Sequence, residues 1–148
     1  MDNEMQISES ITIGAQPSEE ELSQLMNRGF KSIVNLRVDG ENEQSMSPDE
    51  EGKKVKALGM EYVHIPVPSN GMNTEQVDRF RQTLKQLPSP VLVHCQKGKR
   101  AGALSMMHIA IESGWSGEET LQKAHDMGFQ CDDPAMSDFV NGYIDSNH

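Results

Sequence analysis

Val91, Leu92 and Val93 run without a break into His94, Cys95, Gln96, Lys97, Gly98, Lys99 and Arg100, and an apolar stretch from Ala101 to about Ser113 follows at once. A short, uninterrupted branched apolar run reads as a central strand that is fully buried. The stretch after it is long enough and apolar enough to be a core helix. Between them the chain must turn within a few residues, and Gly98 supplies a position free to take a positive φ. This junction sets a thiol and three cations where a strand ends and a helix begins.

The rest of the chain repeats the rhythm. Short β-branched runs alternate with amphipathic stretches, the pattern of an α/β domain with a mostly parallel sheet. Ile11 to Ile13 is the first strand. Ser18 and Glu21 have capping-box spacing, and Leu22, Leu25 and Met26 share one helical face up to Gly29. Lys31 to Leu36 and Met60 to Ile65 read as further strands, the second ended by Pro66 and Pro68. Arg37 to Ser47 is a polar loop. Pro48 opens a helix whose first turn carries Asp49, Glu50 and Glu51, a favourable place for negative charge, and Gly59 stops it. Asn73 or Thr74 caps a helix with Val77, Phe80, Leu84 and Leu87 on one face. Ser116 with Glu119 starts another that runs to Gly128, and Pro134 opens a last one through Tyr143. With 148 residues the chain suits one domain, residues 1–148, in which residues 1–9 form a loosely ordered start.

The junction also carries chemistry. A free thiol is a weak nucleophile until it loses its proton. Cys95 stands just before a helix N-terminus, where unpaired N–H groups and the helix dipole favour negative charge, and Lys97, Lys99 and Arg100 add to that field. Gly98 lets successive amides curl into a nest around a tetrahedral anion. Arg100 can grip such an anion with two parallel hydrogen bonds, which lysine cannot. A thiolate facing a bound oxyanion is the chemistry these residues suit.

Charge narrows the partners. The formal net charge of −10 argues against nucleic-acid binding, so an acidic surface surrounds one basic spot sized for a small anionic or phosphorylated substrate. The first ten residues have neither a basic start nor an apolar run, so no signal peptide or membrane span is expected, and a cytoplasmic monomer is the default. His64, His108 and His125 lack the spacing of a metal site, and no cofactor or metal is expected. Cys131, beside Asp132 and Asp133, is poorly placed to form a thiolate and pair with Cys95.

Nearly the whole chain, through ITIGAQPSEEEL, NLRVDGE, EYVHIPV and HCQKGKRAG, resembles the phosphatase-like domain family named for beta-lactamase hydrolase-like proteins. The resemblance implies a tyrosine-phosphatase-like fold, with a four- or five-stranded sheet flanked by helices. It also implies Cys95 as nucleophile, an oxyanion cradle running from Gln96 through Lys97, Gly98 and Lys99 to Arg100 and Ala101, Arg100 as clamp, and His94 orienting the loop through its ring. Two departures follow. Tyrosine phosphatases place five residues between Cys and Arg and usually follow Arg with Ser or Thr, whereas four lie between Cys95 and Arg100 here and Ala101 comes next. The missing hydroxyl predicts slow turnover. A loop of this length also resembles that of rhodanese-type sulfurtransferases, in which Cys95 would carry a persulfide. The second departure concerns the general acid: the loop expected to supply an Asp reads Pro68, Ser69, Asn70, Gly71. Asp39 and Glu41 are the substitutes. Arg37 would hold Asp39, bind substrate or lie on the surface. A phosphatase is thus the leading expectation, a sulfurtransferase the second, and a non-catalytic anion binder the third.

Overall fold

The computed structural model describes residues 4–38, 40, 46–68, 72–96, 98–127 and 134–147. Among the described residues five strands form one sheet: β1 (Met5–Gln6), β2 (Ile11–Gly14), β3 (Ser32–Asn35), β4 (Glu61–His64) and β5 (Val91–His94). The same residues form six helices: α1 (Glu19–Asn27), α2 (Pro48–Ala57), α3 (Thr74–Gln86), α4 (Lys99–Ser113), α5 (Gly117–Asp126) and α6 (Pro134–Ser146). The strand order is β1-β2-β5-β3-β4. β2, β5, β3 and β4 are mutually parallel, and β1 alone is antiparallel.

Within the segment expected to form a loosely ordered start, Met5 and Gln6 pair with Ile13 and Thr12. Without them β2 would be a bare edge. Met5 and Ile7 pack against the core, and Arg28 donates two hydrogen bonds to the Glu4 carboxylate, at 2.8 and 2.6 Å, which ties the segment down.

Alternation along the strands divides the core between two faces. Ile33 and Leu92 point to one face, with Leu22 and Leu25 of α1 and Val55 of α2. Val34, Val91 and Val93 point to the other, with Val77 and Phe80 of α3, Leu104 and Met107 of α4, and Val140 and Ile144 of α6. This is the two-residue period of a strand covered on both sides. α4 is buried without interruption from Arg100 to Met107, as a helix wedged between a sheet and other helices must be.

The helix starts follow their local signals. Ser18 and Glu21 form a reciprocal capping box, as do Asn73 and Gln76, while Ser47 and Ser116 accept hydrogen bonds from Glu50 and Glu119 N–H groups. α5 packs on α6 where Gly117 meets Asn141, and a Cβ at position 117 would stand 2.8 Å from the Asn141 Cα. Backbone cannot yield cheaply there. Gly117→Ala is therefore expected to cost about 1–3 kcal/mol, read in a thermal melt as a fall of roughly 3–10 °C.

No helix among the described residues is long and apolar enough to cross a membrane.

Candidate active site

The parallel register brings Gly14, His94, Asn35 and His64 into one row across the sheet, at the carboxyl ends of β2, β5, β3 and β4. The crevice beyond such a row is where open α/β sheets take their ligands. Pairing continues for a residue or two past the strands. Cys95 N–H donates to Gly14 O (3.3 Å), Leu36 N–H to His94 O (2.9 Å) and Val67 N–H to Leu36 O (2.9 Å). The segments after β5, β3 and β4 are thereby fixed against one another.

Cys95 leaves β5 on the same face as Val93, 1% exposed, and its Sγ accepts a hydrogen bond from Gly98 N–H at 3.1 Å. An amide aimed at the sulfur stabilises negative charge on it. Gly98 makes this possible by adopting φ 96°, the left-handed region, and it is the N-cap of α4 with no side-chain cap of its own. The first turn of α4 carries Lys99 and Arg100 and no acidic residue, so no carboxylate there opposes an anion at its N-terminus. Arg100 is 5% exposed and donates from Nη1 to Val67 O at 2.8 Å, an anchor that the sequence did not suggest. Lys99 is exposed, Gln96 half-buried and Ala101 buried. Lys97, Asp39, Glu41 and Cys131 lie outside the described residues.

His94 and Arg37 are placed differently from the simplest expectations. Because side chains alternate along β5, the His94 ring lies on the opposite face from Sγ. Its Nε2 bonds Glu51 Oε2 at 2.7 Å, and both side chains are fully buried. Any hold on the loop must pass through the backbone. Arg37 is 1% exposed, so its surface alternative is overturned. Its guanidinium donates to Gln16 Oε1, its N–H to Asn35 Oδ1 (2.9 Å), and its carbonyl accepts from His64 Nε2. Register explains the burial: Arg37 continues the inward turn after β3 toward the carboxyl end of β4.

Glu51 and Gln16 are the residues that sequence reasoning missed. Gln16 Nε2 reaches Glu51 Oε1 (3.3 Å) and Met46 O (3.1 Å), so a buried polar chain runs from Arg37 through Gln16 and Glu51 to His94. Asn35 donates to the Tyr62 hydroxyl at 3.0 Å, and burial together with the Glu51 charge pushes the Tyr62 phenol well above its ordinary range. One signal for Glu51 was present. It precedes Val55 by one helical turn and shares its inward face with Pro48, Gly52 and Val55. Gln16, in an irregular segment, offered none.

Among the described residues no group of three or more His, Cys, Asp or Glu side chains is placed to hold a metal ion. What the described residues bring together is the Cys95 sulfur, the Gly98 amide that reaches it and the first turn of α4 with Arg100.

The family described as DSP-PTPase phosphatase fused to NAD+ kinase matches residues 2–141. Beta-lactamase hydrolase-like proteins are similar in sequence: that of Xylella fastidiosa (strain Temecula1) is 30% identical over 123 residues, 83% of this chain and 28% of its own length. The one from Agrobacterium fabrum (strain C58) is 33% identical over 108 residues, 73% of this chain and 25% of its own. The chain thus spans little more than a quarter of the relatives it matches. Among solved structures, Tk-PTP in its active form superposes with a TM-score of 0.81 at 21% identity, covering 98% of this chain and 97% of that one. The core catalytic domain of the PP-IP phosphatase SIW14 from S. cerevisiae gives 0.75 at 20% identity, over 96% and 85%. TpbA of P. aeruginosa, in complex with pTyr, gives 0.73 at 17% identity, over 98% and 90%. These likenesses show a tyrosine-phosphatase-like fold, and the sequence relatives bear out the resemblance to beta-lactamase hydrolase-like proteins.

Proposed function

The chain belongs to the family of DSP-PTPase phosphatases fused to NAD+ kinase, and from that premise we propose that it hydrolyses a phosphomonoester through a cysteinyl-phosphate on Cys95. One observation carries the reading: Cys95 Sγ receives the Gly98 amide at the mouth of α4, with Arg100 held in the first turn by Val67. In the first step the thiolate attacks phosphorus, the P–S bond forms and the bond to the leaving oxygen breaks. The loop amides and Arg100 stabilise the equatorial oxygens as charge develops on them. Asp39, with Glu41 beside it, is the candidate for protonating the leaving oxygen, a contribution typically worth ~10²–10⁴ in rate. Water then attacks phosphorus, the P–S bond breaks, and inorganic phosphate leaves with the thiolate restored.

Ala101 bears on the second step. A hydroxyl after the Arg would stabilise the departing thiolate, and Ala101 has none, so breakdown of the intermediate is expected to be the slower step. The substrate is a small phosphorylated molecule, since the basic loop lies in an acidic protein.

A paired assay tests the reading against sulfur transfer and against simple anion binding. The purified protein is incubated with an aryl phosphate and separately with thiosulfate, while phosphate release and intact protein mass are followed. Phosphate release is the expected result. A gain of one sulfur atom without phosphate release would instead support a persulfide carrier, and binding of phosphate with neither signal would leave a binding module.

A further inference from the structure

We propose that Glu51 is a positioning residue for Cys95, acting through the ring of His94. The inference rests on the reading of Cys95 as nucleophile, and it concerns what holds that residue in place. The peptide that joins His94 to Cys95 is one planar unit, held by Leu36 N–H on the His94 carbonyl at 2.9 Å and by the Gly14 carbonyl on the Cys95 N–H at 3.3 Å. The side chain of His94 is its further attachment. Among the described residues its Nδ1 meets no partner, which leaves Nε2 to Glu51 as the hydrogen bond that sets the ring.

Glu51 is itself fixed. One oxygen takes the His94 ring and the other takes Gln16, which is anchored in turn on the Met46 carbonyl and on Arg37. The three side chains therefore carry the position of α2's first turn to the peptide that ends in Cys95. Stability alone does not account for such a pair, because replacing both partners of a buried hydrogen bond by apolar groups of the same shape is often nearly neutral. A hydrogen bond between a ring nitrogen and a carboxyl oxygen is directional, and direction is what the Cys95 to Gly98 contact needs. With the ring released, the peptide before Cys95 gains freedom, and Sγ spends less time on the Gly98 amide that stabilises its charge.

A double-mutant cycle tests this through a readout that does not require phosphatase turnover. Glu51→Gln, His94→Asn and the double variant are compared with the wild type for the rate of iodoacetamide alkylation at Cys95, measured by peptide mass spectrometry. Thermal melts establish that each is folded. Phosphate release is followed in parallel for kcat and KM. Glu51→Gln is expected to slow alkylation about fivefold or more, and kcat with it while KM changes little, but to slow it by less than about twofold once His94 is already Asn, the non-additivity of groups acting as one unit. Wild-type alkylation in Glu51→Gln, or the same slowing in both backgrounds, would overturn the proposal. Should Glu51→Gln not fold, Glu51→Asp, which keeps the charge and shortens its reach, takes its place in the same cycle with the same criterion. A coupled alkylation cycle in a protein that releases no phosphate would refute the proposed hydrolysis while upholding the role of Glu51. Phosphate release with an uncoupled cycle would do the reverse.

Discussion

Cys95→Ser is expected to lower phosphate release from an aryl phosphate by at least about 10³-fold, as loss of a nucleophile that starts the whole sequence does. The substitution is a sharp one because it changes little else. Ser fills nearly the same volume at a site only 1% exposed, and the Gly98 N–H that donates to Sγ at 3.1 Å remains available to the Oγ. The fold should therefore persist, which a thermal melt checks. What disappears is the sulfur nucleophile, since a hydroxyl is far less acidic than a thiol and is a weak nucleophile unless a base activates it. Initial rates of phosphate release at matched protein concentration are the measurement.

Arg100→Lys is expected to cost about 10²–10³ in kcat/KM, the usual penalty for removing one preorganised donor to a developing oxyanion. Charge is conserved, so the loss would come from geometry. Arg100 anchors one nitrogen on the Val67 carbonyl at 2.8 Å, and a guanidinium is a planar fork whose parallel N–H groups match phosphate oxygens. A lysine ammonium is a single point that must choose between the two. Alkylation of Cys95 should change far less than phosphate release, since Arg100 acts on the substrate's oxygens, and that contrast separates its role from the one proposed for Glu51.

How much of this was legible beforehand depends on the range of the interactions. The passage from β5 through Gly98 to α4 could be read because every cause is local: an apolar run, a residue tolerant of positive φ, and a helix start with cations in its first turn. The capping boxes of α1 and α3 are local in the same sense. The order of strands was not legible, since nothing in the sequence of β5 says that β2 and β3 will lie on either side of it. β1, with two residues, is too short to show any period. Glu51 was hidden by its neighbours: Asp49 and Glu50 are exposed and serve the helix N-terminus, and the third acidic residue looked like more of the same until helical phase turned it inward. The burial of Arg37 was hard to read for a related reason. Its polar neighbours suggested a solvated turn, whereas pairing of the segments after β3 and β4 draws it beneath the crevice beside Gln16.

Ala101 gives the central claim its most direct test, because slow breakdown of a cysteinyl-phosphate means that it accumulates during turnover. The protein is mixed with excess aryl phosphate, quenched in acid within the first turnovers, and its mass and peptides are read. A single phosphoryl group on Cys95, absent from Cys95→Ser, is the predicted result; steady phosphate release with no adduct on Cys95, or with undiminished rate in Cys95→Ser, would contradict it.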